Sequence, residues 1–114
     1  MNTTTFYKIK DIQDYKANNT ITVIVKYSTH LEEIVSLANR YKFMAIDCEW
    51  VPTGIKNKIA LLQLSFQNGK CFLLKHDKVC QGILDILEDP RIIKIGLGIL
   101  EKIKIVTESK VNGI

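Results

Sequence analysis

Two acidic residues, Asp47 and Glu49, stand two positions apart inside an otherwise apolar run from Phe43 to Trp50. A run of this composition predicts a β-strand buried on both faces. Because side chains alternate along a strand, both carboxylates would lie on the same face. Neighbouring carboxylates in an apolar setting repel each other and are costly to desolvate unless a cation or a proton offsets their charge. The spacing therefore indicates a site for a divalent metal ion.

The elements before this acidic strand follow from β-branched residues and a capping signal. Residues 20–27 alternate and are rich in β-branched side chains, which favours a strand. Thr29 followed by Glu32 forms a capping box, which predicts the start of a helix that ends near Arg40. Residues 1–19 are polar and weakly patterned, and we interpret them as a lead-in. A strand and a helix are therefore expected to precede the acidic strand.

The segments after the acidic strand predict a hairpin and then a helical crossover. Residues 58–67 and 70–75 are expected to form antiparallel strands, joined at Asn68-Gly69 by a type I′ turn in which both central residues have positive φ. The remaining predicted elements are a helix, a short strand, a glycine turn and a last helix, at residues 78–88, 91–95, 96–98 and 99–106.

Together these elements predict an α/β fold with a mixed sheet in one domain over residues 20–106. Three strands joined by short loops make an antiparallel meander, and the helical crossover returns a fourth strand parallel to the acidic strand. If the fourth strand pairs beside the acidic strand, the glycine turn lies over the two carboxylates. Open α/β sheets usually bind ligands at this end of their strands.

The composition is typical of one folded soluble domain, with 114 residues of which 46% are hydrophobic and 25% charged. The net charge of +4 comes from scattered basic residues, which indicate a solvated surface at least as well as a polyanionic partner. The three cysteines lack metal-ligand spacing and are expected to be reduced. With no apolar block like a signal peptide or a membrane span, we expect an intracellular protein, in the nucleus or cytoplasm rather than an organelle, and not secreted.

Five separate segments form one ordered pattern. They are A-I-D-C-E-W at 45–50, K-I-A-L-L-Q-L at 58–64, G-K-C-F-L-L at 69–74, I-L-E-D-P at 86–90 and I-K-I-G-L-G-I at 93–99. In order and spacing they resemble the first half of the 3′-5′ exonuclease domain of the ribonuclease D and Werner-helicase type. The Asp-Cys-Glu-Trp-Val form at 47–51 is similar to that of the exonuclease 3′-5′ domain-containing proteins.

This resemblance implies a ribonuclease H-like fold in which four acids bind two divalent ions, Mg²⁺ or Mn²⁺. Two such ions, about 3.5–4 Å apart, stabilise the attacking and leaving oxygens of phosphodiester hydrolysis. The resemblance implies that Asp47 bridges both ions, that Glu49 ligates one of them, and that the substrate is the 3′ end of DNA or RNA. Trp50 and Gly98 are further candidates for contact with nucleic acid. The alternatives are burial of Trp50 under the first helix and a sharp turn at Gly98.

The chain departs from the family pattern in two places. The second motif normally has an Asp shortly after the Gly-x-Gly turn, whereas an ungapped comparison places Lys102 there. A one-residue deletion in the turn would instead bring Glu101 to that place, either as a metal ligand or as a solvated acid at the helix start. The third motif, with its Tyr and final Asp, has no counterpart, and residues 107–114 form an unassigned tail. We therefore expect a C-terminally truncated domain whose two-ion site is incomplete.

The sequence is compatible with three hypotheses. The chain is a 3′-5′ exonuclease whose working form needs residues beyond Ile114 or a partner chain. Alternatively, it is an inactive remnant that binds nucleic acid or protein through the same surface. Thirdly, it is an unrelated α/β domain whose acids serve another metal-dependent phosphoryl chemistry, and a fold without the meander and crossover would favour this last hypothesis.

Overall fold

The computed structural model of the chain describes residues 20–50 and 59–111, with side chains at 20–49 and 61–108. Its strands are β1 (Ile21–Ile24), β2 (Phe43–Trp50), β3 (Ile59–Ser65), β4 (Lys70–Lys75) and β5 (Ile93–Ile95). Its helices are α1 (Ser28–Tyr41), α2 (Gln81–Glu88) and α3 (Ile99–Val111), with a 3₁₀ turn at His76–Lys78. The predicted lead-in at 1–19 and the predicted loop at 52–54 lie outside the described residues.

The five strands form one sheet in the order β1-β4-β3-β2-β5. Strand β3 runs antiparallel to both β2 and β4, and β5 pairs parallel with β2. The first strand, β1, adds to the far edge of the sheet in parallel with β4. The predicted mixed α/β sheet, with its meander and parallel crossover strand, is therefore confirmed.

The core lies on one face of this sheet. Met44, Ile46 and Cys48 of β2 are buried there, and residues of all three helices join them in a single apolar cluster. The helical members of that cluster are Ile34, Leu37, Ala38, Ile83, Leu84, Ile86, Leu87 and Val106. On the opposite face of β2, Asp47 and Glu49 are exposed. The prediction that β2 is buried on both faces is wrong, because the described helices contribute to the core on one face only.

The hairpin between β3 and β4 forms at the predicted place but not with the predicted turn. Gly69 N–H donates to Phe66 O at 3.1 Å, and Phe66 N–H donates to Lys70 O at 3.0 Å. Gly69 has φ of +88°, whereas Asn68 does not have positive φ. The type I′ prediction is therefore wrong. This bonding matches a longer loop in which one left-handed glycine follows the turn, and the Asn68 side chain accepts a hydrogen bond from Lys70 N–H.

Helix α1 begins at Ser28, one residue before the predicted cap at Thr29, and His30 rather than the predicted capping box accepts the free backbone donors. His30 Nδ1 accepts hydrogen bonds from the backbone N–H groups of Lys26 and Tyr27, at 3.1 and 3.5 Å. An acceptor on the first turn satisfies donors that have no partner within the helix or just before it. The imidazole therefore performs the capping role that we predicted for Thr29 and Glu32.

Candidate metal centre

The two carboxylates occupy adjacent positions on the exposed face of β2. Asp47 lies opposite Gln63 of β3, and Glu49 lies opposite Leu61, before a shift in register between Glu49 and Trp50. The side chain of Asp47 is 58% exposed. The predicted placement of both acids on one face is thus observed, but in contact with solvent rather than in an apolar interior.

Beside Asp47, the neighbouring strand ends and the chain turns into helix α3. The pairing of β5 with β2 stops at Ala45 and Ile95. The glycine turn then passes so close to β2 that a Cβ atom on Gly96 would lie 2.5 Å from the carbonyl oxygen of Ile46. Gly98 has φ of +59°, which is the left-handed region that favours glycine. The expected sharp turn at residues 96–98 is therefore present next to the carboxylates.

Helix α3 directs Lys102 at Asp47. The backbone N–H of Lys102 donates to Gly98 O at 3.0 Å, which places Lys102 in the first turn. Ile99 and Val106 pack on the core, and Lys102 is their neighbour on the same side of the helix. Its side chain is only 17% exposed, and Nζ lies 3.1 Å from Asp47 Oδ1. The buried stem thus carries the ammonium group to the carboxylate.

The same oxygen of Asp47 accepts two hydrogen bonds. Lys102 Nζ donates to Oδ1 at 3.1 Å, and the backbone N–H of Cys48 donates to it at 2.9 Å. Both bonds favour the ionised form, so they lower the pKa of Asp47, with the Lys102 bond as the larger cause. On the opposite face, burial raises the pKa of the Cys48 thiol to about 11. Asp47 is therefore a carboxylate already neutralised by a cation from the chain itself.

In the described part of the chain, Glu101 does not join Asp47 and Glu49 in a ligand cluster. Glu101 is exposed in the first turn of α3. Among residues 20–50 and 59–111, no three His, Cys, Asp or Glu side chains form a group that could hold a metal ion. Trp50 ends β2 and pairs through its backbone with Ile59, but its side chain is outside the described part, so its predicted base contact stays a prediction. Gly98 is exposed at the turn, and its contact with nucleic acid likewise stays a prediction.

The contact between Lys102 and Asp47 is the feature of the site that sequence reasoning missed. The sequence pattern places Lys102 where the family has an Asp, but it does not indicate a partner for its ammonium group. A signal was nevertheless present, because Lys102 lies three residues after Ile99 and four before Val106 on the apolar stripe of α3. A lysine on that stripe has to extend its ammonium group past the packed helix to a polar partner.

Comparison with known proteins gives the same family as the motifs. The chain is 38% identical over 71 residues to exonuclease 3′-5′ domain-containing protein 2 of Drosophila melanogaster, a match that covers 59% of this chain and 12% of the relative. It is 38% identical over 69 residues to the Homo sapiens protein of the same name, covering 54% and 11% of the two chains. The chain therefore spans a small part of these curated relatives.

Solved structures extend the likeness to the fold. A crystal structure of the EXD2 exonuclease domain soaked in Mg and GMP aligns with a TM-score of 0.63 and 28% identity, covering 76% of this chain and 50% of that chain. The same domain soaked in Mn and GMP aligns with a TM-score of 0.65 and 26% identity, covering 78% and 50%. The chain thus spans half the length of these solved domains.

A family description fits most of the chain. The model of the 3′-5′ exonuclease family matches residues 22–110, a range that contains the whole sheet from Thr22 onwards, the carboxylate pair and the helix that carries Lys102. In the described residues, no helix is both long and apolar enough to cross a membrane. The resemblance inferred from five motifs is therefore confirmed, and the chain belongs to the 3′-5′ exonuclease family.

Proposed function

We propose that this chain supplies the first acidic motif of an enzyme that removes nucleotides from the 3′ ends of DNA or RNA. The observation that carries the proposal is the exposed pair Asp47 and Glu49 on β2, beside the glycine turn, in a chain of the 3′-5′ exonuclease family. Asp47 and Glu49 are its catalytic carboxylates. The open face of the sheet leaves both carboxylates accessible to the 3′ end of a nucleic-acid strand.

The proposed cofactor is a divalent ion, Mg²⁺ or Mn²⁺, the two metals in which the EXD2 exonuclease crystals were soaked. The described residues do not by themselves fit a two-ion site. They provide two neighbouring carboxylates, and Lys102 already neutralises one of them. Two ions bound through oxygen ligands need more acids than this. The proposal therefore assigns the missing ligands to groups outside the described residues or to a partner chain.

The proposed substrate class is a single-stranded 3′ end with little sequence preference. EXD2 exonuclease crystals were soaked in GMP and also in dGMP. If the same nucleotides are products here, the site accepts both ribose and deoxyribose. Contacts to phosphate, sugar and base faces provide binding without reading base edges.

An assay with a 5′-labelled oligonucleotide tests this proposal. The 114-residue chain alone should leave the label on full-length strands in Mn²⁺, because its ligand set is incomplete. A fusion of the chain to the half of an EXD2 exonuclease domain that this chain does not cover should shorten the labelled oligonucleotide progressively from its 3′ end. Asp47→Asn and Glu49→Gln should each lower the rate of the fusion by at least about a hundredfold, and EDTA should stop the reaction.

Glu32→Gln is the matched control, because Glu32 is an exposed carboxylate on α1, away from β2. It should leave the rate of the fusion unchanged. Equal loss in Glu32→Gln and Asp47→Asn would contradict the assignment of Asp47, as would continued activity of the Asp47→Asn fusion.

A second candidate function is an inactive module that binds nucleic acid. The ion pair between Lys102 and Asp47 favours it, because a cation from the chain occupies the carboxylate to which the first proposal assigns the metal. In the same assay, this candidate predicts no shortening of the strand by the fusion. It also predicts retention of labelled single strands by the 114-residue chain in the presence of EDTA.

A further inference from the structure

The ammonium group of Lys102 lies beside the Asp47 carboxylate, where a bound metal ion would otherwise supply the positive charge. Nζ is 3.1 Å from Asp47 Oδ1, and the side chain is 17% exposed against 58% for Asp47. The lysine stem is thus held by packing, while the carboxylate remains open to solvent. The backbone N–H of Lys102 donates to Gly98 O, which anchors the base of this side chain in the first turn of α3.

An ammonium group and a divalent ion compete for a carboxylate because both bind through positive charge. A metal at Asp47 has to displace Lys102 from Oδ1 and then remain next to a positively charged group. The Cys48 N–H on the same oxygen further reduces its capacity as a ligand. An acid in place of Lys102 would have the opposite effect, since it would add negative charge and a third oxygen ligand.

We propose that Lys102 is a built-in counter-cation for Asp47, which takes the place of one divalent ion and weakens metal binding at this site. The inference rests on the proposed function only in treating Asp47 as a metal-binding carboxylate. It makes Lys102 the residue that sets metal occupancy, independently of whether the chain completes an active enzyme. Two carboxylates and one ammonium group leave the site with only a small net negative charge, and a dication therefore binds there only weakly.

Metal binding to the 114-residue chain is a direct test. Free Mn²⁺ is measured by electron paramagnetic resonance during titration of the unmodified chain and of Lys102→Met, which keeps an apolar stem of similar length. Removing the ammonium should tighten Mn²⁺ binding about tenfold at low ionic strength, because both the competition and the repulsion of the dication disappear. The gain should shrink as NaCl is raised, since salt screens exposed charges.

Lys104→Met is the matched control. Lys104 lies two residues further along α3 and is exposed on another side of the helix. It removes the same charge from the chain away from Asp47 and should leave Mn²⁺ binding within about twofold of the parent. Combining Lys102→Met with Asp47→Asn should abolish the gain. Equal affinity of the parent and Lys102→Met would overturn the inference, and so would an equal gain in Lys104→Met.

A measurement on the unmodified chain keeps the inference testable if Lys102→Met does not fold. With ¹³C-labelled lysine, addition of Mg²⁺ should move the Cε signal of Lys102 and leave that of Lys104 in place. Binding of Mg²⁺ at Asp47 without a change at Lys102 would overturn the inference. The proposed function fails separately, when the fusion does not shorten 3′ ends, because neither metal titration depends on catalysis.

Discussion

Substitution of Gly96 tests how closely the crossover turn packs against the strand that carries the carboxylates. A Cβ atom at this position would lie 2.5 Å from the carbonyl oxygen of Ile46 and 3.1 Å from Ile99 Cδ1. The oxygen is backbone in β2, which is held between β3 and β5 and cannot rotate away. Gly96→Ala therefore requires a shift of the chain by at least about 0.5 Å at the junction of β5 and α3.

Overpacking of this kind costs about 1–3 kcal/mol, and we place Gly96→Ala in the upper half of that range because the contact is with backbone. The free energy of unfolding should be measured in urea by circular dichroism, with the slope against urea checked for constancy. The shift would also move the first turn of α3, so Lys102 should reach Asp47 less well. Mn²⁺ binding should tighten in the folded fraction.

Two other glycines act as matched controls for this substitution. Gly98 has open space around it but φ of +59°, so Gly98→Ala should cost about 1–2 kcal/mol through backbone strain alone. Gly82 lies in α2, where a Cβ would make an ordinary contact of 3.6 Å with Val35 Cγ2. Gly82→Ala should be neutral or stabilise by up to about 1 kcal/mol through helix propensity. A Gly96→Ala chain as stable as the Gly82→Ala chain would refute the close approach to Ile46.

Three further predictions concern charge, cysteines and a cap. The Arg91 side chain lowers the pKa of Asp89 to about 2. Because this folded-state pKa lies below the ordinary value, the contribution of Asp89 to stability is present above about pH 4 and is lost as the pH falls towards 2. Asp89→Asn should therefore reduce the fall of the urea midpoint between pH 4 and pH 2. A variant whose midpoint falls with pH as steeply as that of the parent would contradict this. A thiol reagent at pH 8 should label exposed Cys80 within minutes and buried Cys48 only in denaturant; rapid labelling of Cys48 in the folded chain would show that the core face is open. His30→Ala should cost about 1 kcal/mol in urea unfolding, because two backbone donors lose their acceptor; a loss well below this would show that water replaces the imidazole.

Local sequence signals predicted the elements of the sheet, because the features that define them are short-range. The hairpin around Gly69, the end of α2 before Pro90 and the glycine turn all depend on residues within a few positions of one another. Alternation placed Asp47 and Glu49 on one face for the same reason. The helical crossover predicted that β5 runs parallel to β2, but it left open whether the two strands pair, which the structure shows.

Long-range features could not be predicted in this way. The bond between Lys102 and Asp47 joins residues 55 positions apart, so no local pattern specifies it. Which face of β2 the helices cover is also a property of tertiary packing, and the apolar run alone suggested burial on both. The wrong turn type at Asn68 has a local origin, because one pair of residues is compatible with several loops.

The exposure of Asp47 changes the physical argument for a metal. In a strand buried on both faces, two carboxylates would need a cation to offset their desolvation. On the observed face they are solvated, and Lys102 supplies a positive charge to one of them. Metal is thus not needed for this face to fold, and the support for metal binding comes from membership of the exonuclease family. Folding and metal binding are therefore separable here: EDTA should leave the urea midpoint of the chain unchanged, and a midpoint that falls on metal removal would show that the carboxylates depend on an ion after all.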